Sequence, residues 1–285
     1  MTLQELKHFF QNSLNTIYPL EEINQLFYIS VYNRLNMSKV DVLLHINDDF
    51  NVDPLILDLE RLKRSEPIQY IYQHAIFYDL DFKVNPDVLI PRQETEELVQ
   101  MILNANKKSD PIKIMDIGTG SGAIAIALSK NIQKAEVFAT DFSEKALLIA
   151  QENSLRNEVK VEFMKHDIIK DNISILPDHL DVIVSNPPYI PISVSKELHS
   201  NVVLFEPHSA LFVPDQDPIL FYKKIAEIAF LKLENGGQLY FETFESFHED
   251  ITQYLEIVGF SNIQSLKDIN GKFRFISAEK IVYLR

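Results

Sequence analysis

An amide, two prolines and an aromatic ring stand in a row at Asn186-Pro187-Pro188-Tyr189, directly after the apolar run Leu180-Asp181-Val182-Ile183-Val184-Ser185. A strand of that texture in an open α/β sheet delivers the next residues of the chain to its carboxyl end, where ligands of such sheets bind. Neither proline has an N–H to give to a ladder, and Pro187 steers Asn186 away from helical geometry. The Asn186 Oδ1 and the Pro187 carbonyl are thus two acceptors on a stiff turn. They suit the hydrogens of a planar nitrogen, with the Tyr189 ring available to lie on its flat face. The tetrapeptide reads equally as a strand closed by a Pro-Pro turn with a capping Asn; alone it does not choose.

A second cluster lies upstream. Ile112 to Ile117 reads as a buried strand, followed by Gly118-Thr119-Gly120-Ser121-Gly122 and a helix from Ala123 to Lys130, so that three of the chain's seven glycines fall together. Glycines here permit a tight turn and the close approach of a ligand to the backbone. The next strand, Ala135 to Thr140, leads into Asp141, 23 residues after Gly118, where an acidic side chain can take both ribose hydroxyls. A helix capped by Ser143 runs from Glu144 to about Arg156. A third strand over Val159 to Met164 ends at His166-Asp167, and Asp167 either accepts from an adenine amino group or closes a turn. To this point a nicotinamide-dependent dehydrogenase and a methyltransferase using S-adenosylmethionine fit equally. The combination of Asp116, Asp141, Asp167 and the Asn-Pro-Pro-Tyr turn at four strand ends favours the methyltransferase.

The remaining elements must position these groups. Leu3, Leu6, Phe9, Phe10 and Leu14 recur at helical spacing, as do Leu55, Leu57, Leu59 and Leu62 less cleanly, and Ser38 with Asp41 forms a capping box for a helix through Leu44. Residues 1–73 are expected to form a small helical bundle that recognises a partner, and 74–91 a β-hairpin linker turning near Tyr78-Asp79-Leu80. Residues 92–285 are expected to form the catalytic domain. In it, a helix from Glu96 to about Ala105 follows Arg92 and Glu94, which either wall a ligand pocket or cap a surface. A long helix from Pro218 to about Leu233, a Gly236-Gly237 turn and a fifth strand ending at Glu242 come next. A helix from Phe247 to Val258 stops at Gly259. Strands over Ile263–Lys267 and Phe273–Ala278 complete a Rossmann-like α/β sheet of seven strands, the last antiparallel.

Composition narrows the classes. With 285 residues, 46% hydrophobic, the chain can bury a core of one or two domains. It has no cysteine, which excludes disulfides and thiolate zinc sites, and its eight histidines lie scattered without a close metal-ligand pair, so no metal is expected. The net charge of −14 argues against a broad nucleic-acid surface. No signal-peptide layout and no membrane-length apolar run is present, and a cytoplasmic protein is expected.

Taken in order, these segments resemble the HemK/PrmC family of protein-glutamine N5-methyltransferases, which modify the Gly-Gly-Gln loop of peptide chain release factors. Glu66-Pro67-Ile68-Gln69-Tyr70-Ile71 is similar to the family's linker motif, and Val88 to Glu96 to its loop before the catalytic domain. Asp116 to Leu128 resembles the cofactor loop, Ile183 to Ile190 the substrate motif, and Glu206-Pro207 with Ala210-Leu211 the segment beyond. The chain departs from the family at Gln93, where a proline is usual, and at Gln73 and Asp79, where glycines are. It also has Glu242-Thr243-Phe244 in place of Glu-Ile-Gly.

The resemblance implies S-adenosylmethionine as cofactor and release factors as partners, with neither membrane nor nucleic acid bound directly. It implies cofactor contacts from Asp116, Gly118, Thr119, Gly120, Ser121, Gly122, Asp141, Asp167, Ile168 and Asn186. Asn186, Pro187 and Tyr189 are the expected catalytic residues, and Pro188, Arg92 and Glu94 join them around the substrate. Two competitors stay open. Exocyclic amines of adenine or guanine are also planar nitrogens, so a nucleic-acid methyltransferase shares the turn's chemistry, and a non-catalytic cofactor-binding module shares the fold.

Overall fold

The buried run Ile114-Met115-Asp116-Ile117 has neighbours on both sides, and the rest of the fold is arranged about it. The structure, a computed structural model, describes residues 1–106 and 111–282. By their contacts these residues divide into two units, one made of Met1–Gln73 with His199–Phe205 and the other of the remaining described chain.

The first unit is helical: Leu3–Leu14, Leu20–Leu35, Lys39–Leu44, Asp53–Leu62 and Ile68–Tyr72. The Ser38/Asp41 capping box is present, and Thr2 with Glu5 forms another at the first helix. Leu3, Leu6, Phe10 and Leu14 bury one stripe, with Phe10 edge-on to Phe27 at 5.6 Å. Phe9 and Leu57, counted with the apolar stripes in the sequence, face outward at 41% and 68% exposure, because the buried faces run through Leu3, Leu6, Phe10 and Leu14 on the first helix and through Leu55, Asp58, Leu59 and Leu62 on the fourth. Asp58 is tolerated inside because Arg34 grips both its oxygens at 2.7 Å and the Tyr72 hydroxyl donates to it at 2.7 Å.

The second unit opens with a hairpin, β1 (Ala75–Phe77) and β2 (Leu80–Phe82). Tyr78 and Asp79 both have positive φ, 51° and 58°, the geometry a two-residue hairpin turn demands. Seven further strands form the main sheet: β3 (Ile112–Ile117), β4 (Ala135–Asp141), β5 (Glu162–Lys165), β6 (Leu180–Ser185), β9 (Leu233–Glu242), β10 (Ser261–Lys267) and β11 (Phe273–Glu279). A small parallel pair, β7 (Ile190–Pro191) and β8 (Phe212–Val213), stands apart. The order is β10-β11-β9-β6-β3-β4-β5, parallel from β9 to β5, with β11 antiparallel to both its neighbours. The last strand is antiparallel, as its sequence position predicts.

Chain order reverses between β3 and β6, so the carboxyl ends of these two strands border the crevice where ligands of doubly wound sheets bind. The helices Gln93–Ala105, Ala123–Asn131, Glu144–Arg156, Leu220–Lys232 and His248–Val258 belong to this unit. A core of Met115, Ile183, Leu239 and Phe241 packs with Tyr222, Ile225 and Ala229 of the fourth. The expected Gly-Gly turn proves to be an excursion within β9: Leu233 pairs with Leu180, yet Val182 next meets Gln238. Gly236, at φ +89°, makes it possible, and its N–H bonds the Lys280 carbonyl at 2.7 Å. Boundaries shift: the helix expected from Glu96 begins at Gln93, the one expected from Pro218 begins at Leu220, and the strand expected over Val159–Met164 covers Glu162–Lys165.

Candidate active site

β3 carries Asp116 as its penultimate residue, β4 ends in Asp141 and β6 runs into Asn186; a loop at the C-terminal end of a buried parallel strand is where a polar group can leave the core. A cleft of about 430 Å³ opens there, lined by Gly118 to Ser121, Asp141, Asp167, Ile168, Arg92 and Asn186 to Pro188, among others. Asp116, Gly122, Glu94 and Tyr189 are not in its lining.

The glycine loop shows why. Gly118 and Gly120 have φ of +76° and +55°, and a Cβ on either would meet nothing within 4 Å. Gly122 also has positive φ, but its Cβ would strike Ile126 Cδ1 at 2.8 Å and Ala150 Cβ at 3.2 Å. It lets two helices approach and does not face the cleft. Asp116 lies wholly buried and accepts from Thr119 Oγ1 at 2.6 Å. Burial pushes its carboxyl up to about 7, with the Asp141 charge adding to the effect and the Thr119 hydrogen bond opposing it. Asp141 receives the Gly120 and Ser143 N–H groups, both at 2.9 Å, and burial still raises its pKa.

Asp167 is more locally engaged. Its Oδ1 accepts from the Ile169 N–H at 3.0 Å and its Oδ2 pairs with Lys170 at 3.1 Å. Burial acts to raise its pKa, but these partners outweigh it and hold the carboxyl below the ordinary range. The turn-closing role is therefore present, at a residue that also lines the cleft. His166 beside it is 1% exposed with neither ring nitrogen bonded, a feature that its place at a strand end did not reveal.

Around Asn186 the structure brings together groups to which their sequence positions assign no role. Asn186 Nδ2 donates to Thr95 Oγ1 at 3.3 Å, and Thr95 donates to Glu242 Oε2 at 2.6 Å. Glu242 ends the apolar run Leu239-Tyr240-Phe241, and a carboxylate closing such a strand was the available signal. It is fully buried, and burial pushes it up to about 7 against the Thr95 hydrogen bond and the Arg274 charge. The Tyr189 ring stacks on Phe244, with centroids 5.9 Å apart and planes at 17°, instead of facing the cleft. Burial holds its phenol well above the ordinary value, so it stays neutral.

Arg92 lines the cleft but is ion-paired to Glu206, a 4% exposed carboxylate whose other oxygen accepts the Ile90 N–H at 3.3 Å. Glu94 is half-buried in the first helical turn, close enough for its charge to act on Tyr189 and Glu242. Asn153, wholly buried, exchanges hydrogen bonds with the Lys83 backbone and donates to the Ser121 carbonyl at 2.9 Å, tying the hairpin's exit to the glycine loop.

A nucleoside cofactor carrying positive charge suits this lining. Among the described residues, Asp116 Oδ1 and both His166 nitrogens are buried without hydrogen-bond partners, the loop glycines leave room at the backbone, and the carboxyls of Asp141 and Asp167 line the cleft.

A parallel sheet ordered in this way, with a glycine loop after its first strand and Asn-Pro-Pro-Tyr after its fourth, defines a Rossmann-like methyltransferase. Residues 93–204 match the family described as methyltransferase small domain. A methyltransferase from Pyrococcus furiosus shares the fold, with a TM-score of 0.52 at 22% identity over 71% of this chain and 90% of that one. The full-length relatives are more specific. The chain is 43% identical to the release factor glutamine methyltransferase of Flavobacterium psychrophilum, covering 97% of this chain and 98% of the relative. It is 38% identical to that of Bacteroides thetaiotaomicron, over 98% and 100%. The chain belongs to the release factor glutamine methyltransferase family.

Proposed function

We propose that this chain methylates the side-chain amide nitrogen of the glutamine in the Gly-Gly-Gln motif of peptide chain release factors, tuning translation termination. The observation that carries the reading is the Asn186 side chain at the end of β6, its Nδ2 taken by Thr95 and its Oδ1 left to accept, in a chain of this family.

Bound S-adenosylmethionine supplies an activated methyl group on a sulfonium. The residues suited to hold it are Gly118 to Ser121, Asp141, Asp167 and Ile168, with Asp116 and Gly122 shaping the loop from behind and Asn186 at the border between cofactor and substrate. The glutamine amide is a weak nucleophile because its lone pair is delocalised into the carbonyl. Asn186 Oδ1 and the Pro187 carbonyl accept its two hydrogens, and holding both on a rigid turn favours a pyramidal nitrogen whose lone pair is available. Catalysis here is mainly positioning and fixed dipoles. Tyr189, stacked on Phe244, braces the turn from behind the cleft, and Pro188 stiffens it. Arg92 and Glu94 border the substrate. The extra proton of the methylated amide leaves to water.

The helical bundle is assigned to recognition of the release factor. The protein is taken to act in the cytoplasm, without membrane or direct nucleic-acid binding. The net charge of −14 supports the nucleic-acid part of this reading. The test is mass spectrometry of a release factor and its Gln→Ala loop variant after incubation with enzyme and S-adenosylmethionine, with DNA and RNA in parallel. One methyl group on the loop glutamine is expected, and transfer to nucleic acid alone would overturn the substrate.

A further inference from the structure

Asn186 has two chemically opposite ends, and the two-acceptor reading needs only one of them to face the substrate. An asparagine on a turn can present either its oxygen or its NH2 with almost no change of shape. With the NH2 turned outward, a donor would meet the donor hydrogens of the glutamine amide, and the site would repel what it should hold.

Two residues remove the choice. Glu242 as a carboxylate is acceptor-only, so the Thr95 hydroxyl must commit its single proton to it, at 2.6 Å. Thr95 Oγ1 can then only accept from Asn186, and the partner it meets at 3.3 Å is Nδ2. The relay spans three elements that share no local sequence: the first turn of helix Gln93–Ala105, the end of β9 and the turn after β6. We propose that Thr95 and Glu242 are positioning residues that set the polarity of the Asn186 amide, so that its oxygen alone is offered to the substrate nitrogen. The inference rests on the reading that Asn186 accepts from a glutamine amide.

Protonation of Glu242 dissolves the constraint, since a carboxylic acid can donate to Thr95 and free the hydroxyl to donate to the Asn186 oxygen. The groups acting on Glu242 are Thr95 and Glu94 from the helix, Asn186 and Tyr189 from the turn, Tyr222 from helix Leu220–Lys232 and Arg274 from β11. With its carboxyl pushed up to about 7, the rate of transfer rises with pH through that region as the carboxylate forms.

The experiment measures kcat and KM for a release factor from about pH 6 to about pH 8, with cofactor Kd by calorimetry, for wild type, Glu242→Gln, Thr95→Val, Thr95→Ser and the Glu242→Gln/Thr95→Val pair. Glu242→Gln and Thr95→Val should each lower kcat on the order of 10- to 100-fold, the cost of a misaimed group, with little change in cofactor Kd. The double variant should lose no more than either alone, and Thr95→Ser, which keeps the hydroxyl, should recover most of the rate. The rise of kcat with pH should disappear in Glu242→Gln. Wild-type kcat in Glu242→Gln overturns the inference, and so does a lowered kcat that keeps the same pH dependence, which marks a merely structural role. Wild-type enzyme that transfers nothing to the release factor overturns the underlying reading, and the inference falls with it.

Discussion

Two buried carboxylates lie behind the cleft on either side of β6, and their likeness makes their difference informative. Asp116 lies under the glycine loop and Glu242 under the Asn-Pro-Pro-Tyr turn. Each is wholly buried, each accepts a 2.6 Å hydrogen bond from a threonine, and burial pushes each up to about 7. Asp116, however, keeps one oxygen without a partner and feels the like charge of Asp141. Glu242 has Arg274 to oppose its charge and is linked to Asn186 through the Thr95 hydroxyl. The first is left with an unmet acceptor beneath the glycine loop; the second is committed to its protein neighbours.

The sharpest way to break the comparison is to remove the amide that Glu242 serves. Asn186→Ala should reduce methyl transfer to the release factor by about 10²–10³-fold, the usual cost of losing one preorganised polar group at a reacting centre, and mass spectrometry of the loop glutamine reads it directly. Asp116→Asn should act on the other half. Its cofactor Kd should rise by about tenfold or more, as expected for losing a charge-assisted hydrogen bond. Calorimetric titration tests this, and an unchanged Kd would place Asp116 among purely structural residues.

A smaller effect concerns stability without ligand. Both carboxyls have a higher pKa folded than unfolded, so the native state binds the extra proton. Their contribution is therefore greatest below the unfolded value of about 4 and is lost as pH rises to about 7. Asp116→Asn should melt higher than wild type at pH values above about 7 and lose that advantage toward about pH 4, which a series of thermal melts would show. The smallest change is a control away from both carboxylates. Gln73 holds φ +51° as the left-handed C-cap of helix Ile68–Tyr72. Gln73→Gly should raise stability by about 0.5–1 kcal/mol, read from the urea midpoint, as relief of left-handed strain exceeds the added freedom of the unfolded chain.

Much of the fold was legible because its signals are local. Alternation and apolar runs located the strands, Gly259 ended its helix at φ +109°, and the Ser38/Asp41 box opened another. Errors cluster where a local pattern had more than one outcome. Phe9 and Leu57 match a helical count but lie on outward faces, and Gly236-Gly237, a turn by composition, became an excursion inside β9 because β11 and Lys280 hold both flanks. Within the site, the loop glycines and the strand-end acids stood out by type and position. The separation of Gly122, which admits a neighbouring helix, from Gly118 and Gly120, which border the cleft, depends on where Ala150 packs.

The sequence by itself determined which groups stand at the strand ends, since hydrophobic periodicity sets where a strand stops and residue identity sets the chemistry of the turn beyond it. It determined the parallel sheet and its antiparallel last strand as well. Which of these groups meet depends on packing across the whole sheet. Thr95, Asn186 and Glu242 are 91 and 56 positions apart along the chain, and no local preference links them. They touch because β9 pairs with β6 in one register, with Ser185 opposite Phe241, and because helix Gln93–Ala105 turns its first turn toward both. A hydrogen-bonded relay over such separations is a product of strand order and packing, and strand order is settled only when the whole sheet closes its core.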